Sequence, residues 1–73
     1  MYQSIIYKCP NDSDGDEVKH SVVTKSLDNI RTIHRQALEA IAPLTAWTHD
    51  HQTQTDYVHL GDFTYVAHLN REA

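Results

Sequence analysis

The chain has 73 residues, 40% of them hydrophobic and 22% charged, and a formal net charge of −4. That is enough for one domain around one core, near the lower limit for independent folding, and too apolar for a disordered segment. No run approaches the roughly 18 apolar residues of a membrane span, and the first ten residues, MYQSIIYKCP, lack the charged region and long apolar stretch of a signal peptide.

Cys9 has no second cysteine to pair with, so a reducing cytoplasm is the expected compartment. The chain begins with Met and carries no tag or linker, as expected of a complete small gene product. Its acidity is local. Asp12, Asp14, Asp16 and Glu17 together equal the whole net charge, which leaves the remainder balanced.

In chain order, residues 2–9 (YQSIIYKC) are rich in aromatic and β-branched types and stop at Pro10, which cannot donate to a sheet ladder. After the acidic stretch NDSDGDE comes EVKHSVVTK, again β-branched. The two runs read as an antiparallel hairpin with a long connection. The alternation of two places Ile5, Tyr7 and Cys9, with Val18 and Val22, towards the core. Ser4, Ile6, Lys8, Lys19, Ser21, Val23 and Lys25 then fall on the other side.

Ser26 is suited to cap a helix, and Asp28 in the first turn favours the helix dipole. At 100° per residue, Leu27, Ile30, Ile33, His34, Ala37, Leu38, Ile41 and Leu44 fall within an arc of about 140°. Pro43 disfavours helical geometry at Ala42, so one amphipathic helix is predicted from 27 to about 42. Residues 45–54 (TAWTHDHQTQ) read as a polar loop anchored to the edge of the core by Trp47.

TDYVHL-GD-FTYVAHLN is a second hairpin, with Gly61-Asp62 as a two-residue turn of type II′ or I′. The turn sets Leu60 opposite Phe63, His59 opposite Thr64, Val58 opposite Tyr65 and Tyr57 opposite Val66. Val58, Leu60, Phe63, Tyr65, Ala67 and Leu69 form the floor under the helix, and Tyr57, His59, Thr64, Val66 and His68 face away. The predicted fold is a single α+β domain, a two-layer β-β-α-β-β sandwich of one helix on a four-stranded antiparallel sheet.

Two surfaces are candidate partner-binding sites. The first is the acidic loop, Asp12, Asp14, Asp16 and Glu17. An EF-hand calcium loop puts acids at positions 1, 3 and 5, Gly at 6 and Glu at 12. Counting from Asp12, Gly15 stands at position 4 and Val23 at 12, so the loop reads as a solvated or docking element instead. The second is the outer sheet face, Ile6, Lys8, Lys19, Val23, Lys25, Tyr57, His59, Val66 and His68, which mixes lysines with exposed aliphatics and holds no acid.

Six histidines stand in the chain. His34 falls inside the apolar arc, as a packed, hydrogen-bonded core residue rather than a ligand. His59 and His68 sit about 13 Å apart along the last strand at ~3.4 Å per residue, too far for one ion. His49 and His51, in HDH, are a weak metal pair that lacks a third ligand unless their loop folds back to His20 or His59. No base is placed beside Cys9, and two glycines cannot build a phosphate loop, so neither catalysis nor a cofactor is expected.

The function expected is a non-catalytic regulator or inhibitor that occludes a site on a larger protein or complex. In size and element order the chain resembles small phage and mobile-element accessory proteins, including host-takeover and anti-CRISPR inhibitors. An alternative is a single-stranded nucleic-acid module that stacks bases on the sheet face, disfavoured by the net charge and by only three arginines. A histidine-based metal protein is third. Ile6, Val23, Tyr57 and Val66 on one face would also suit a face-to-face homodimer.

Overall fold

The computed structural model describes residues 1–72. Strands β1 (Tyr2–Pro10) and β2 (Glu17–Thr24) are followed by helix α1 (Leu27–Ile41), a 3-10 turn (Leu44–Ala46), and strands β3 (Thr48–Asp50), β4 (Thr55–Leu60) and β5 (Phe63–Asn70). They form one antiparallel sheet in the order β2-β1-β5-β4-β3, with α1 on one side. The α+β layering matches the expectation, but the sheet has five strands. The extra one, β3, lies in the stretch read as a loop. Three residues are too few to show an alternation.

The helix forms as its sequence dictates. The Ser26 hydroxyl accepts from the Asn29 amide at 3.3 Å, and Ala42 leaves the helix in an extended conformation before Pro43. Ile30, His34 and Leu38 are buried along one stripe, and Ala37 and Ile41 pack beside them. Leu44, placed in the same arc, belongs instead to the turn beyond Pro43 and is exposed. The second hairpin has the four pairs set by Gly61-Asp62. Gly61 has φ +61 and Asp62 does not enter the positive region, which is the type II′ pattern.

The first hairpin has its faces exchanged. Ser4 and Ile6 are fully buried against the helix, and Ile6 forms the centre of the core with Leu38 and Ala67. Ile5, Tyr7 and Cys9 point to the open side, since they pair with His68, Val66 and Thr64 of β5. On β2 the register slips between Ile6 and Tyr7, which face His20 and Val18 respectively. That bulge accommodates Lys19 as an extra residue and separates Val18 from Val22. Val22 pairs with buried Ser4, while Val18 pairs with Tyr7 and is 53% exposed. No helix among the described residues is long and apolar enough to cross a membrane.

Candidate functional site: an open sheet face beside an acidic end

One helix covers one side of the sheet and leaves the other side open. The outward positions of β1, β2, β4 and β5 carry Ile5, Tyr7, Val18, Val23, Tyr57 and Val66 among Gln, Ser, Thr, Cys and His. None of these positions holds Lys, Arg, Asp or Glu; the one charged residue on this side is Asp50 of the edge strand β3, paired with Thr55. An exposed antiparallel face ordinarily alternates to polar and charged residues, so a contiguous patch of six apolar and aromatic side chains is the least ordinary surface of the molecule.

Four predicted members of this face lie elsewhere. Ile6 is 0% exposed. Lys8 is on the helix side, its Nζ 3.9 Å from the centre of the Phe63 ring. Lys19 lines a groove with Ala37, Ala40 and Ile41 of α1, and its Nζ donates to Glu17 Oε1 at 3.3 Å. Lys25 is exposed just past the end of β2. Val23, Tyr57, His59, Val66 and His68 do stand on the open face. The face therefore gains Ile5, Tyr7 and Val18 and loses its lysines. The nucleic-acid reading thereby loses the three lysines it relied on to meet phosphates.

The acidic loop begins at the rim of this face. The Asn11 amide donates to the Asp62 carbonyl at 2.9 Å, and Asn11 Nδ2 to the Gly61 carbonyl at 3.3 Å. Thr64 Oγ1 donates to Asn11 Oδ1 at 2.6 Å, and His59 Nδ1 lies 2.7 Å from the same hydroxyl. Because that hydroxyl has one hydrogen, His59 Nδ1 is the donor in the second bond. The chain His59–Thr64–Asn11 fastens the loop to the second hairpin. Asp12, Asp14, Asp16 and Glu17 are all exposed and share this end of the sheet with Asp62. Gly15, at φ +115, provides a conformation that other residues rarely adopt. Cys9, beside this loop, has its thiol pKa raised by partial burial and by Asp16, which accepts its hydrogen and repels the thiolate.

The histidines distribute differently from the sequence reading. His49 and His51 approach to 4.6 Å between ring centres, nearer than an extended strand allows, because the chain turns after Asp50. Asp50 holds that turn by accepting from the Gln52 amide at 2.9 Å, which draws its carboxyl below the ordinary range. His49 Nδ1 pairs with Asp56 Oδ1 at 2.8 Å. No group of three or more His, Cys, Asp or Glu side chains among the described residues is arranged to hold a metal ion.

Sequence reasoning missed the polar centre beneath the helix. Ser4 Oγ, fully buried, lies 2.7 Å from His34 Nδ1 and 2.9 Å from His20 Nε2. His34 is buried and hydrogen-bonded, as expected; its partner is a residue thought to be exposed. A serine flanked by two imidazoles has the chemical parts of a nucleophile, but with no exposed surface it has no contact with a substrate. Burial lowers the pKa of both imidazoles; at His34 the Asp56 carboxylate opposes this in part, while His20 and His68 add to it.

The fold and the site together define a class, a two-layer α+β domain with one bare, largely apolar sheet face. Compared with protein-family models, curated proteins and solved structures, the chain matches none.

Proposed function

We propose that the chain is a non-catalytic protein-binding regulator that lays its open sheet face on a larger protein and so occludes a site there. The observation that carries this reading is the open face itself: six apolar or aromatic side chains, no charge on β1, β2, β4 or β5, and Val18 and Val23 still 53% and 48% exposed. An uncharged centre rich in tyrosine and aliphatics, rimmed by polar groups, has the composition of an interface core. The acidic end at Asp12–Glu17 and Asp62 gives the partner's chemistry, an apolar patch bordered on one side by basic residues. The like charges there accelerate and orient encounter. Action in the cytoplasm, in the manner of the small phage and mobile-element inhibitors that the size and element order resemble, belongs to the same reading.

The test uses the whole chain as bait in lysate from its native cell, beside Val23→Lys/Val66→Lys on the open face and Arg35→Ala on the outer helix surface. The reading expects one defined larger protein with the wild type and with Arg35→Ala, and none with the double lysine variant. Capture that survives both lysines would overturn it. So would sedimentation showing that a second copy of the chain already covers the face at cellular concentration.

A further inference from the structure

We propose that Ser4, His20 and His34 form an acid-released latch that fastens α1 and the edge strand β2 to the centre of the sheet. The three residues come from β1, β2 and α1, and the two contacts of 2.7 and 2.9 Å meet at one buried hydroxyl. Counting hydrogens shows why this arrangement responds to a proton. Two contacts need two hydrogens. The serine provides one, and one neutral imidazole provides the other through its N–H. Either tautomeric arrangement satisfies all three atoms.

A further proton on the accepting ring puts three hydrogens into two contacts. Both rings then donate to Ser4 Oγ, and the serine hydrogen is left without an acceptor at a site with no exposed surface. The surroundings give little help to an imidazolium. Lys19, paired with Glu17 at 3.3 Å, adjoins His20 on β2; His49 stands on β3, His68 on β5 and Arg71 beyond it. Among the described residues the carboxylate that acts on His34 is Asp56 of β4, already held 2.8 Å from His49. On β1 the next charged side chain of this face is Lys8, and Arg31 and Arg35 of α1 are exposed.

A route for the proton exists. His20 is part-exposed in a groove of about 310 Å³ lined by Lys19, Ala37, Ala40, Ile41 and Tyr65, so solvent reaches the latch from the β2 side. Both histidines titrate below 6.5 when folded and near it when unfolded. The unfolded chain therefore holds the extra proton in the interval between, and stability is complete above pH 6.5 and falls as the pH drops towards the folded values. The unfolding constant rises about tenfold per pH unit for each proton so taken up.

The decisive comparison is with His20→Gln/His34→Asn. Gln places an amide nitrogen or oxygen where Nε2 stands, Asn does so where Nδ1 stands, and neither takes a proton near pH 6. Urea unfolding and amide exchange of α1 are measured from pH 7.5 to 5.0, with the ring resonances of all six histidines followed in the wild type. The latch predicts that the wild type loses stability and α1 protection across this range more steeply than the double variant. It also predicts that the rings of His20 and His34 both titrate below 6.5. Equal pH slopes in the two proteins, or ordinary titration of both rings at 6.5 or above, would overturn it. If the double variant does not fold, the wild-type ring titration decides alone.

Discussion

Trp47 closes the helix against Ala42. Its indole N–H, 3.1 Å from the Ala42 carbonyl and 3.2 Å from that of Leu38, satisfies the last turn at the point where Pro43 ends the helix. The ring also packs on the cluster of Ile6, Leu38 and Ala67. One side chain thus caps α1 and seals the core beside it. Replacing it with Phe keeps an aromatic ring and removes the donor. Trp47→Phe is expected to destabilise the fold by about 1–3 kcal/mol, from the lost bonds and the altered packing. A urea midpoint equal to that of the wild type would show that the indole N–H contributes nothing.

The exchanged faces of β1 give a sharp pair of variants. Ile6→Ala opens a cavity beneath the helix and is expected to cost about 2–5 kcal/mol. Ile5→Ala, one residue away on the open face, is expected to cost less than half as much. Equilibrium unfolding of both proteins measures the difference. The reverse order would mean that the strand sits with Ile5, Tyr7 and Cys9 inwards, as its hydrophobic pattern alone implies.

The environment of Cys9 makes a kinetic prediction. Burial first, and Asp16 second, hold the thiol protonated. At pH 8 it should react with iodoacetamide more slowly than free cysteine, and Asp16→Asn should hasten the reaction without restoring the full rate. A wild-type thiol that reacts faster than free cysteine would contradict the geometry at the rim of the open face.

The parts of the fold set by local chemistry were legible in the sequence. Ser26, the 3.6-residue stripe and Pro43 delimit α1, and Gly61-Asp62 fixes every pair of the second hairpin. The first hairpin was legible as two antiparallel strands, but the facing of those strands was not, for two physical reasons. Ser4, Ile6 and Lys8 look more polar than Ile5, Tyr7 and Cys9, and what makes the former set buriable is a pair of histidines 16 and 30 residues away. The bulge at Lys19 then breaks the alternation of β2, which no residue of EVKHSVVTK announces. The candidate site inherited both errors. Its second-hairpin half, Tyr57, His59, Val66 and His68, was placed correctly, while Ile6, Lys8 and Lys19 were assigned to a face they do not occupy.

The most direct test of the open face as a docking surface is photo-crosslinking inside the native cell. A benzoylphenylalanine at Tyr57 reports from the β4 side of the face, and one at Arg35 reports from the exposed surface of α1. The account predicts a single heavier adduct from position 57, containing one other and larger protein, and none from position 35. It also predicts that adding Val23→Lys to the Tyr57 probe abolishes that adduct. Adducts from position 35 alone, equal adducts from both positions, or only a homodimer-sized product from position 57 would contradict it.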